Sequence, residues 1–209
     1  MIKLLLACAM LFLCGSTQAG AYDDIIAAAN NGDTKTVVGL LKRGMDVNTA
    51  DRNGSTLLMI AARNGNLSLM ETLLANRANV NRRNEFGDTA LLLAAFKGRV
   101  EATRALIAKG AEVNPSGWTP LHYAVFAGSQ EVAAVLIASG AKLDSRAPNG
   151  QTALMLAVKQ GNIKTVRQLI DADADMDLAD FEGATALKLA QRLGHAEIVA
   201  YLREVGAVE

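Results

Sequence analysis

A twelve-residue block returns five times at an almost constant interval, and whatever this chain folds into must honour that period. GSTLLMIAARNG begins at Gly54, GDTALLLAAFKG at Gly87, GWTPLHYAVFAG at Gly117, GQTALMLAVKQG at Gly150 and GATALKLAQRLG at Gly183. Their threonines, Thr56, Thr89, Thr119, Thr152 and Thr185, are separated by 33, 30, 33 and 33 residues. Each block is followed by a second apolar stretch and a loop, as in LMETLLANRANVN, TRALIAKGAEVN, AAVLIASGAKLD and VRQLIDADADMD. An earlier copy, IIAAANNGDTKTVVGLLKRGMDVN, lacks the opening turn and brings the number of units to six.

One unit can be read from its own chemistry. The threonine offers a hydroxyl to the orphan amides of a helix start, and Pro120 occupies a first helical position, where a missing amide proton costs nothing. Apolar positions three and four apart then predict a short amphipathic helix. Gly32, Gly65, Gly98, Gly128, Gly161 and Gly194 close these first helices at matching places, and a second helix follows after a short turn. Neither helix can bury its apolar stripe alone, so neighbouring units must stack and share one elongated core.

The pattern GxTPLHxAAxxG…LLxxGADVN resembles the ankyrin-repeat family. Gly117 to Ala124 match it outright, and the other copies match it in degraded form. The resemblance runs from Tyr22 to about Gly206. It implies an all-α repeat solenoid, an array of about six helix-turn-helix units joined by short hairpin loops. The units fall near 22–52, 53–85, 86–115, 116–148, 149–181 and 182–209. The polar first copy, with Asn30, Asn31, Asp33 and Lys35, is expected to cap one end, and Arg192, His195, Glu197, Arg203 and Glu204 the other. Two departures stand out. Three residues are missing between Asn114 and Gly117, which predicts a shorter surface turn, either neutral or a notch that accommodates a partner. The family's glycine after the second helix, present as Gly44, Gly110, Gly140 and Gly206, is replaced by Arg77 and Asp173, so those two units should carry local backbone strain.

The first residues have a separate origin. Lys3 supplies a positive n-region, Leu4 to Leu13 an apolar h-region, and Thr17, Ala19 and Ala21 the small residues of a cleavage site, so residues 1–21 read as a secretory signal cut after Ala19 or Ala21. The apolar run is too short for a permanent anchor, which needs about 20 residues, and stable membrane insertion is not expected. Lipid anchoring is disfavoured, because Cys8 leaves too short an h-region and Cys14 follows a bulky Leu13. Both cysteines leave with the leader, and 20 basic against 21 acidic side chains then remain once Lys3 is removed from the 21 and 21 of the whole chain. Export points to a periplasmic or secreted module, expected to be a near-neutral monomer with no strong field for nucleic acid.

Little in the sequence carries chemistry. The two histidines, His122 and His195, fall at structural positions of the repeat, with no nucleophile placed beside them, and neither an enzyme nor a cofactor is expected. Asp171, Asp173, Asp175 and Asp177 alternate, with Glu182 at the twelfth place, a partial match to a calcium loop. Met176 stands where that loop needs glycine, so the segment reads first as a solvated loop. A metal- or small-ligand-binding protein centred on residues 171–182 is kept as the alternative function.

The resemblance places binding on the hairpin tips and the inner, concave face of the first helices. Those positions single out Arg52, Arg63, Phe86, Asp88, Phe96, Lys97, Trp118, Phe126, Gln151, Lys159 and Phe181 as candidate contacts to another protein. Phe96 and Phe126 share one register position in adjacent units, and Trp118 lies on the hairpin between them, so these three are expected to be exposed anchors. Tyr123 is expected in the core. The function expected is a non-catalytic protein-interaction module, an inhibitor or stabiliser of its partner in the manner of an immunity protein.

Overall fold

The threonines begin helices because each hydroxyl reaches an otherwise orphaned amide. In a computed structural model that describes residues 20–208, Thr56, Thr89, Thr119, Thr152 and Thr185 all precede a helix and accept from the amide three residues on. These are the first helices of five units: α3 (Leu57–Asn64), α5 (Ala90–Phe96), α7 (Pro120–Phe126), α9 (Ala153–Lys159) and α11 (Ala186–Leu193). Each is followed by a second helix: α4 (Leu67–Ala75), α6 (Val100–Ala108), α8 (Gln130–Ala138), α10 (Ile163–Ile170) and α12 (Ala196–Glu204). The first unit pairs a helix containing residues 20–30, α1, with α2 (Thr34–Lys42). Of the expected leader only Gly20 and Ala21 fall inside the described residues, at the start of α1; its n-region, its h-region and both cysteines lie outside them.

The all-helical repeat solenoid is therefore the fold expected. First helices pack on first helices, α3 on α5, α5 on α7, α7 on α9 and α9 on α11, while the second helices form a parallel row. Small side chains make the close approach possible: Ala61, Ala62, Ala94, Ala95, Ala124, Ala157 and Ala190 are all fully buried. Leu58, Leu91, Leu121, Leu154 and Leu187, one per unit at the same register, fill the space behind them. One continuous apolar cluster results, running from Ile25 to Leu202.

A polar ladder ties the units along their loop side. Asn48 Oδ1 accepts the Asn79 amide at 2.8 Å, Asn81 that of Glu112 at 2.8 Å, and Asn114 that of Lys142 at 2.7 Å. Asp144 then accepts from Asp175 at 3.0 Å and Asp177 from Val208 at 2.9 Å. One asparagine or aspartate within each long loop thus fixes the loop of the next unit.

The two non-glycine residues expected to be strained are strained. Arg77 and Asp173 are the only non-glycine residues with positive φ among those described, at 63° and 67°. They stand where Gly44, Gly110, Gly140 and Gly206 have φ between 80° and 97°. Arg77→Gly should stabilise the array by about 1 kcal/mol, because the left-handed region costs a side-chain-bearing residue about that much. Asp173→Gly should gain less, since aspartate tolerates that region better. Urea titrations of both variants check the pair, and a lowered midpoint for Arg77→Gly would contradict the account.

Candidate functional site

The end of α5, the helix α7 and the turn that precedes α7 bring four rings together. Phe96 and Phe126 stack with centroids 6.4 Å apart, and Tyr123 meets Phe96 edge-on at 5.9 Å. Trp118 lies against His122 at 5.7 Å, Tyr123 at 5.5 Å and Phe126 at 5.9 Å. The short turn explains this use of Trp118. Three of the other four hairpins are closed by a side chain that accepts two amides, Asp51 from Asn53 and Ser55, Asn84 from Phe86 and Asp88, Asp180 from Glu182 and Ala184. Residues 115–117 are three short of that length, and Pro115 has no amide to donate. The indole lies along α7, over the rings of that helix.

The candidate contact residues divide into three groups. Phe86 and Phe181 stand 73% exposed at hairpin tips, Phe126 is 52% exposed, and Arg52, Lys97 and Lys159 are exposed as well. Arg63, Asp88, Phe96 and Trp118 are half-buried. Arg63 donates to Asn30 Oδ1 at 3.1 Å, Asp88 accepts the Tyr123 hydroxyl at 3.2 Å, and the Lys97 ammonium sits 5.0 Å from the Phe96 centroid. Gln151 does not belong to an exposed face: it is only 7% exposed. Its carbonyl faces His122 Nε2 at 3.2 Å and its side chain is bonded to Asp180, so it is held between the units on either side. Tyr123 is not a closed core residue either. It is half-buried, and desolvation together with the facing Asp88 carboxylate raises its phenol above the ordinary 10.0. Trp118 and Phe96, expected as free anchors, are themselves partly packed, and Phe126 is the ring that the cluster presents outward.

The family model for ankyrin repeats, described as ankyrin repeats in three copies, matches residues 2–84, 58–147 and 136–208. The chain belongs to the ankyrin-repeat family. A comparison with curated proteins gives no match, so the family model carries the assignment. Ankyrin repeats are in general protein-protein interaction modules and in general non-enzymatic.

Within this ankyrin array the titratable groups serve the scaffold. The Thr119 amide donates to His122 Nδ1 at 3.2 Å, which leaves Nε2 to carry the proton toward the Gln151 carbonyl. Burial lowers His122 below the ordinary 6.5, and the ring is neutral. In the aspartate loop, Asp175 accepts the Asp177 amide at 3.0 Å and Asp177 that of Val208 at 2.9 Å. Two of the carboxylates considered for calcium are thus engaged by amides of the repeat. No group of three or more histidine, cysteine or acidic side chains among the described residues is arranged to hold a metal.

The neutral histidine gives the stability of the array a pH dependence of known sign. Its folded value is depressed, so its contribution is fully present above about pH 6.5 and is lost as pH falls from there through the folded value. Protonation at Nδ1 would also set a new N–H against the Thr119 amide. The urea midpoint should therefore fall from about pH 7.5 to about pH 5, and His122→Met, which installs the residue found at the same register as Met59 and Met155, should flatten that fall. An equal slope in the variant would assign the titration to other groups.

Proposed function

We propose that this chain is an exported binding module that recognises a partner protein through the face built from the ends of the first helices and the hairpin tips, and that it inhibits or stabilises that partner in the manner of an immunity protein. The observation that carries this reading is the four-ring cluster of α5, α7 and the turn that precedes α7, with Phe126 half exposed at its surface. Rings in a monomeric surface are normally covered, and a packed aromatic platform with one ring presented outward is the usual anchor of a protein interface. The leader supports work outside the cytoplasm. It has a basic start, a short apolar run and small residues before Tyr22, and the chain beyond it contains no cysteine.

Two measurements test the two halves of this proposal. Expressed with its own leader in a bacterial host, the protein should lose about 20 residues and appear outside the cytoplasm, which intact-mass spectrometry of the exported chain decides. Retained Met1 or a lipid on Cys8 or Cys14 would overturn the export half.

For the binding half, a partner captured from the same compartment should lose about 2 kcal/mol of affinity to Phe126→Ala, as truncation of a central aromatic does. Because Phe126 is half exposed, the unfolding free energy of this variant should change by less than about 0.5 kcal/mol. Tyr123→Ala and Trp118→Ala, whose rings pack against the core, should lower both stability and affinity. A partner bound equally well by wild type and Phe126→Ala would place the interface elsewhere.

A further inference from the structure

Charge is segregated in a chain whose totals cancel. There are 21 basic and 21 acidic side chains, yet α3, α5, α7, α9 and α11 contain no aspartate or glutamate. Carboxylates lie instead on α1, as Asp23 and Asp24, on the second helices, Glu71 on α4, Glu101 on α6, Glu131 on α8, and Glu197 and Glu204 on α12, and in the loops. Read down the register at the ends of the first helices, the six units present Asn30, Arg63, Phe96, Phe126, Lys159 and Arg192. The adjoining register position adds Lys97 and no carboxylate, and Lys188, one turn before Arg192, adds another exposed ammonium. The row is therefore an aromatic centre with cations on both sides.

Acidic groups flank this row without entering it. Asp88 accepts the Tyr123 hydroxyl, Asp180 is held below the ordinary carboxylate range by the Ala184 and Glu182 amides and by the charge of Arg192, and Glu85 and Glu182 sit at hairpin tips beside Phe86 and Phe181. Arg63 spends one donor on Asn30 and keeps the rest of its fork. Lys97 lies over the Phe96 ring, at the join between the apolar and cationic parts.

We propose that this face takes an acidic segment of the partner protein. Its apolar side chains sit over Phe96 and Phe126, and its carboxylates reach Arg63 and Lys97 on one side and Lys159, Lys188 and Arg192 on the other. This rests on the reading of the same face as the protein-binding surface. A nucleic acid fits less well, because its evenly spaced phosphates need a continuous cationic track and the middle of this row is apolar. A segment with acidic ends and an apolar centre matches both the sign and the order of the side chains.

A random peptide library displayed on phage, selected on the purified protein, tests the proposal without knowledge of the partner. The enriched peptides should be acidic and contain an aromatic or large aliphatic residue. Made synthetically, they should bind about thirty-fold more weakly to Phe126→Ala. They should bind about ten-fold more weakly to the double variant Lys159→Glu with Arg192→Glu, and more weakly as ionic strength rises from about 0.05 to about 0.5 M. Circular dichroism and urea midpoints of the variants keep loss of binding separate from loss of fold. Neutral or basic peptides that still depend on Phe126 would overturn the acidic-segment inference and leave the binding face standing. Acidic peptides indifferent to both Phe96→Ala and Phe126→Ala would overturn the face itself. Absence of any enriched peptide, or tighter binding of a single-stranded oligonucleotide than of the peptides, would also overturn the inference.

Discussion

No unit of this array can satisfy itself, and every other feature depends on that. A first helix of seven or eight residues is too short to persist in water, where isolated helices under about twelve residues are marginal. Its apolar stripe becomes buried only when the next unit lies against it. The polar groups behave in the same way, because Asn48, Asn81, Asn114, Asp144 and Asp177 each find an amide one unit further on. Apolar packing fixes the distance between units and the ladder fixes their rise, so both must be met together for the array to be regular.

A regular array turns sequence register into spatial position. Phe96 and Phe126 meet because each stands seven residues after its capping threonine, in units whose first helices are in contact. The short turn at 115–117 breaks the regularity at one point and is where the surface becomes distinctive. A full-length hairpin would carry a small or polar side chain at this place, as Ser55, Asp88, Gln151 and Ala184 show in the other units. Here the chain has Trp118, and the ring joins a cluster with residues of α5 and α7. A hairpin that departs from the repeat is thus coupled to a face that departs from it. The coupling is physical, since aromatic contacts replace the two amide bonds that close the hairpins at Asp51, Asn84 and Asp180.

What the sequence disclosed was what one unit decides for itself. The capping threonines, the terminal glycines and the left-handed Arg77 and Asp173 are set by a few adjacent residues, and all could be read from the repeat alone. Gln151 could not. By type it is a surface residue, and it is buried because His122 of one neighbour and Asp180 of the other close on it. Tyr123 was misread in the opposite direction: it replaces Ile60 and Leu93 in register, but its hydroxyl keeps it at the edge of the core, where Asp88 of the preceding unit accepts it. The alternating aspartates suggested a metal loop because their partners, Asp144 and Val208, lie 31 residues from Asp175 and Asp177. In each case the missing information was the identity of a neighbour one period away.

Net charge misleads for the same reason. A balance of 21 against 21 argues against a strong overall field, but a repeat protein presents its faces as columns of equivalent positions, and each column has its own sum. The column at the ends of the first helices is cationic around an aromatic centre, while carboxylates gather on α1, the second helices and the loops. Because the surrounding charges are screened beyond roughly 8 to 10 Å, a ligand lying in that column responds to the column rather than to the total. Such an arrangement keeps the whole molecule close to neutral while giving one face a sign, and it allows the sign to be changed unit by unit, by substitutions at a single register position that leave the buried leucines and the polar ladder untouched.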